Sequence, residues 1–229
     1  MTTRTKVILG IGIVVAISLT IVLIYVAKKL NLKNKNPKRI LFVGDSQVAV
    51  QTDGGSPITF TYPNILRSQN PDKTIDVVGS VGKKTDWMMG ALNDKLKNNK
   101  YDRIYIHAGG NDTSSGVALS KTISNIQQMV DVGNGSGADV FVVLGYKIEG
   151  EQGKFGNHNI MPITQFVTTP QQWIPLVEKR KELQRQLPKS IKNANFVPIY
   201  DLQQQTSDGI HPNSAGHKIV AENIQKTLS

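Results

Sequence analysis

The sequence predicts an α/β protein: a three-layer α/β/α sandwich around a five-stranded parallel sheet, preceded by one N-terminal transmembrane helix. Two patterns carry the sheet. Five short β-rich runs alternate with longer stretches of helical periodicity, and most of those runs are continuously apolar, as strands covered on both faces are. A third pattern carries the membrane segment. From Val7 to Val26 the chain reads VILGIGIVVAISLTIVLIYV, twenty residues without a charge.

At helical rise, that run spans roughly 30 Å, the thickness of a hydrocarbon core. The hydroxyls of Ser18 and Thr20 can return to backbone carbonyls, and Tyr25, Lys28 and Lys29 suit an interface. A cleaved signal peptide normally has a shorter apolar region, and no small-x-small cleavage site follows Tyr25. A buried soluble helix is rarely apolar on every face. The chain therefore divides into a short tail (1–6), a transmembrane helix (7–27), a basic polar linker (28–37) ending at Pro37, and a domain over 38–229.

Within the domain the strand runs are Arg39–Val43, Thr74–Val78, Arg103–His107, Asp139–Leu144 and Asn195–Ile199. Helical periodicity falls near Pro63–Ser68, Asp86–Lys97, Leu119–Val132 and Gln171–Gln186, with a last helix over Ser214–Thr227. In the third of these Ile123, Ile126, Met129 and Val130 recur at three and four, giving one apolar face. Tyr146–Thr169 reads as an irregular stretch rich in Gly and polar residues, of a length found in lids, binding loops or disordered segments.

Composition narrows the function classes. The chain has no cysteine, which excludes disulfides, thiolate metal sites, Fe–S clusters and a Cys nucleophile. The formal net charge of +10 is concentrated at the N-terminus. Residues 1–39 hold eight basic and no acidic side chains, leaving 19 basic against 17 acidic in the rest. A phosphate-gripping protein would carry its basic excess on the folded domain, so no nucleic-acid partner is expected. No HExxH, carboxylate cluster or His-rich set points to a metal, and no cofactor is expected.

The unusual residues fall where strands end. Gly44-Asp45-Ser46 follows the first run, Gly79-Ser80-Val81-Gly82 the second, and Gly109-Gly110-Asn111-Asp112 the third. Asp208-Gly209-Ile210-His211-Pro212 lies between the fifth run and the last helix. In a parallel sheet these ends share one edge, so four distant segments converge on one crevice. A serine there needs a base within hydrogen-bond reach, which His211 can supply, and Asp208 can fix the imidazole tautomer. The backbone amides of Ser46 and Gly82 and the side-chain amide of Asn111 offer three donors for an oxyanion.

This set resembles the SGNH (GDSL-type) hydrolase superfamily over about residues 38–229. Its blocks appear in order: GDS at 44–46, a glycine after the second strand, GxND at 109–112 and DxxH at 208–211. The resemblance implies a flavodoxin-like fold, with Ser46 as nucleophile, Asp208 and His211 completing the triad, and Ser46, Gly82 and Asn111 as the oxyanion hole. The glycine block departs from the family's usual form, because Val77-Val78 stand where the family often has Asn. Gly79 therefore stays as the alternative to Gly82.

Other candidates read as structural. Asp45 is expected to point its side chain away from the relay, and His107 to be a hydrogen-bonded core residue. Asp112 is expected to cap a helix or bond the local backbone. His217 belongs to packing or the surface of the last helix, and His158 to a solvated loop. Gly133-Asn134-Gly135-Ser136-Gly137 precedes a strand instead of following one, so it is no phosphate cradle. The G-x-S-x-G elbow is absent, since Val48 stands at the second glycine position.

The resemblance implies ester hydrolysis through an acyl-enzyme. An envelope or cell-wall glycan carrying O-acetyl groups is the expected substrate, and a lipid acyl ester is the alternative. A membrane-tethered structural or binding protein on the same fold is the rival of a different class. The N-terminal helix makes the lipid bilayer a partner. Six basic residues follow the apolar run and two precede it, which on the positive-inside rule alone places the domain in the cytoplasm. Envelope substrates place it outside, and that is the expected side.

Overall fold

Five runs that the sequence marks as strands form one parallel sheet. The computed structural model describes residues 36–49, 60–147, 170–202, 205–206 and 210–228. The expected transmembrane segment, the tail before it, linker residues 28–35, the stretch 148–169 and Asp208 lie outside the described residues. Among the described residues no helix is long and apolar enough to cross a membrane.

The elements run β1 (Arg39–Gly44), α1 (Tyr62–Gln69), β2 (Thr74–Gly79), α2 (Thr85–Asn98), β3 (Arg103–His107), α3 (Gly110–Ser114) and α4 (Leu119–Gly135). They continue β4 (Asp139–Val143), β5 (Tyr146–Lys147), α5 (Pro170–Ser190), β6 (Asn195–Val197), β7 (Tyr200–Asp201) and α6 (Ser214–Gln225). The main sheet has the order β2-β1-β3-β4-β6 and every pairing is parallel. Gly44 is level with Gly79 on one side and His107 on the other, so the loops after β1, β2 and β3 leave the sheet side by side. Strand order reverses at β1, which makes the crevice between β1 and β3 the place where a ligand fits.

Alternate residues of each strand face opposite layers. Leu41, Val43, Ile104, Ile106, Val140 and Val142 pack with Met88 and Leu92 of α2, Ile126 and Met129 of α4, and Leu183 and Leu187 of α5. Each such side chain, fully buried, contributes about 1.5–3 kcal/mol. The other face is aromatic. Phe42 stacks on Tyr105 at 4.8 Å between ring centroids, Tyr105 stacks on Phe141 at 5.1 Å, and Tyr62 of α1 meets Phe42 edge-on at 5.5 Å. Arg103 is fully buried there, its guanidinium 4.9 Å above the Phe141 ring and donating to the Thr227 carbonyl. The helices α1 and α6 pack together and are tied by Asn70 donating to Gln225 at 2.8 Å.

Local chemistry sets the boundaries. Pro63 lies in the first turn of α1, where a missing N–H costs nothing. Asn213 caps α6, its side-chain oxygen accepting from the amides of Ala215 and Gly216, each at 3.0 Å. β6 stops at Val197 rather than Ile199, because Pro198 has no N–H to give to the ladder. β2 is an edge strand and only half-covered, unlike the doubly buried β3 and β4. Tyr146–Lys147, expected as the start of an irregular stretch, forms a small parallel sheet with Tyr200–Asp201. The Gly133–Gly137 segment closes α4, where Gly133 lies against Val140 too closely for a Cβ.

Candidate active site

Ser46 lies in a turn at the end of β1, where the amides of Val48 and Ala49 both donate to the Asp45 carbonyl at 3.2 and 3.1 Å. Two glycines make room for that turn. A Cβ on Gly44 or on Gly79 would sit 2.7 Å from a Val48 methyl, so the buried Val48 presses the turn onto the ends of β1 and β2. Gly79 is thus a packing glycine. Gly82, the other candidate for the oxyanion amide, has φ +70 and lines the cavity beside Ser46.

The Ser46 Oγ lies 2.9 Å from the His211 Nε2, across 165 residues of sequence. Several bonds fix the histidine loop. Thr206 and Pro212 form an antiparallel bridge, and the Asn213 amide donates to the Gln205 carbonyl at 3.1 Å. The Tyr146 hydroxyl donates to the Ile210 carbonyl at 3.0 Å and also to the Gln47 side-chain oxygen, joining the serine turn to the histidine loop.

Asn111 lies in the first turn of α3, and its Nδ2 donates to the Lys83 carbonyl at 3.0 Å and to Asp45 Oδ2 at 3.3 Å. The side chain therefore ties the loop after β2 to the turn after β1. Asp112 does not bond its local backbone. Its carboxylate instead accepts from the backbone amide and the hydroxyl of Thr85, capping α2 from another segment. Asn125 of α4 donates to the same Thr85 hydroxyl at 2.8 Å.

A cavity of about 390 Å³ opens beside Ser46, Gly82, Asn111 and His211. One face of α5 forms an apolar wall from Leu176, Val177, Leu183 and Leu187, continued by Val143 and Leu144 at the end of β4. Thr113, Ser114 and Ser115 line another part of it with hydroxyls. Sequence reasoning missed this wall. Leu176, Val177, Leu183 and Leu187 recur along one side of α5, with Arg180 and Gln184 between them, and that apolar spacing is the signal that points to it.

Two residues expected to be purely structural face this cavity. Asp45 is buried, lines the cavity, and accepts from the Gln47 amide at 2.9 Å as well as from Asn111. Burial pushes its carboxyl up to about 6, against the Gln47 bond and the nearby Arg180 charge. His107 also lines the cavity, and its Nδ1 has no hydrogen-bond partner among the described residues. Burial, helped by the Arg180 charge, lowers it to about 3, so it is neutral at pH 7. His217 keeps its expected packing role. Its Nδ1 accepts from the Tyr62 amide at 3.3 Å, and burial lowers it to about 4.

The GDSL-like lipase/acylhydrolase model matches residues 42–219 of this sequence. The chain belongs to that family. It is accordingly a serine ester hydrolase. Its fold is shared with the crystal structure of TesA, 20% identical, with a TM-score of 0.56 over 84% of this chain and 98% of that one. An acetylxylan esterase from Geobacillus stearothermophilus, solved as a catalytic mutant, is 17% identical, with a TM-score of 0.59 over 86% of this chain and 96% of that one. A GDSL-like lipase from Bacteroides thetaiotaomicron is 17% identical, with a TM-score of 0.61 over 83% and 87%. No curated protein sequence matches significantly.

Proposed function

We propose that this hydrolase works through an acyl-enzyme on Ser46. His211 takes the serine proton as Oγ attacks the ester carbonyl, then protonates the leaving alcohol and activates water for deacylation. Asp208, three residues before His211, holds the other ring nitrogen. The amides of Ser46 and Gly82 and the Asn111 side chain receive the oxyanion, and each such donor is worth roughly 3–4 kcal/mol of barrier. The single observation that supports this reading most is the 2.9 Å separation of Ser46 Oγ and His211 Nε2.

The proposed substrate is an O-acetylated envelope or cell-wall glycan, reached by a domain held outside the membrane by Val7–Val26. The hydroxyls of Thr113, Ser114 and Ser115 in the cavity suit a polar alcohol. A second reading has its own observation: the apolar α5 wall offers more greasy surface than an acetyl group uses, which favours a longer acyl chain. Turnover of a p-nitrophenyl ester series against acetylated glycans separates the two. Ser46→Ala is expected to abolish turnover and fluorophosphonate labelling while leaving the fold intact. Activity near wild type in that variant removes Ser46 from the nucleophile role. Protease accessibility of the domain in intact cells tests the side of the membrane.

A further inference from the structure

Ester hydrolysis as proposed gives Asp45 no task, yet it is buried and lines the same cavity as Ser46 and His211. Oδ1 is held by the Gln47 amide at 2.9 Å, which fixes the carboxylate within its own turn. Oδ2 accepts from Asn111 Nδ2 at 3.3 Å. We propose that Asp45 is a positioning residue that sets the orientation of the Asn111 amide and so aims its nitrogen as an oxyanion donor. This rests on the role given above to Asn111.

The orientation follows from what surrounds the amide. Its nitrogen has two acceptors, the Lys83 carbonyl at 3.0 Å and the Asp45 carboxylate. Reversed, the amide would press its own oxygen against both of them, losing two hydrogen bonds and gaining two repulsive contacts. Both hydrogens of that nitrogen are engaged, and the longer bond to Asp45 is the one more easily shared with an incoming carbonyl oxygen.

The charge on Asp45 is a net cost to the fold. The groups acting on it are Arg180 from α5, His211 from the loop before α6, and Asp112 from α3. Burial outweighs the favourable ones and opposes ionisation. An asparagine would keep the shape and the Gln47 bond without that penalty. It would, however, turn its NH2 toward the NH2 of Asn111, donor against donor, and Asn111 would have to rotate away.

The test is a double-mutant cycle in the full-length protein, read on a short-chain p-nitrophenyl ester with Asp45→Asn, Asn111→Ala and the double variant. Each single change is expected to lower kcat by about 100–1,000-fold, the loss of one oxyanion donor, with KM changed less than about threefold. The double variant should be no slower than Asn111→Ala alone, and Asp45→Asn should melt at or above the wild-type temperature. Penalties that multiply in the double variant overturn the inference, as does wild-type kcat in Asp45→Asn. A fall in melting temperature that accompanies the loss of activity overturns it too, since that marks a structural role. Wild-type kcat in Asn111→Ala instead sinks the oxyanion assignment beneath it, so the two failures are told apart.

Discussion

Acidification from pH 7 to 4 should destabilise this domain through two buried histidines. His107 titrates at about 3 and His217 at about 4 in the fold, against 6.5 in an unfolded chain. The unfolded state therefore binds more protons below 6.5, and stability falls as pH drops. At pH 4 each histidine has removed about 3 kcal/mol. Asp45 works in the opposite sense. Its carboxyl is raised from 3.8 to about 6, so its penalty is present above 6 and is relieved as pH falls toward 3.8, returning about 2 kcal/mol. The three together leave a net loss of about 4 kcal/mol, a large share of the 5–15 kcal/mol typical of a domain. Urea denaturation at pH 7, 5.5 and 4 measures it. A His107→Gln variant should lose about 3 kcal/mol of this pH dependence. A variant whose stability falls with pH as steeply as wild type would refute the account, because His107 would then be charged or exposed in the fold.

Two further predictions concern how the turns are held. Gly79→Ala puts a methyl 2.7 Å from Val48 and 3.0 Å from the Ala49 amide, so it should displace the serine turn. A kcat loss of at least about tenfold at unchanged KM is expected by steady-state kinetics, since misplacing the nucleophile by fractions of an ångström is costly. Thr85→Val removes the hydroxyl shared by Asp112 and Asn125 and leaves buried polar atoms without it. Thermal unfolding should show a loss of about 1–3 kcal/mol.

The sheet was legible because short, continuously apolar runs rich in β-branched and aromatic residues, such as Ile40–Val43 and Ile104–Ile106, fit strands covered on both faces. Ser46 and His211 were legible because each follows a strand end, and the sheet order brings those ends to one rim. What escaped was set by contacts distant in sequence. Asp45 is one residue from Ser46, and nothing local says that its carboxylate reaches Asn111, 66 positions away. His107 looked like any strand histidine, since only the neighbouring β4 end and α5 make it part of a cavity wall. Gly79 and Gly82 were indistinguishable until Val48 was seen lying over the first. Asp208 and Val7–Val26 lie outside the described residues, and their roles rest on the sequence and the resemblance.

Arg103 has a bearing on how this chain acquires its shape during synthesis. The side chain belongs to the middle strand, while the carbonyl that receives it is at Thr227, 124 residues later. A ribosome-bound intermediate can lay down β1 to β4 and still hold a cation on an apolar face with that oxygen not yet made. The aromatic layer therefore closes fully only after Thr227 has left the ribosome, and until then the nascent domain presents Phe42, Tyr105 and Phe141 as a sticky face for chaperones to shield.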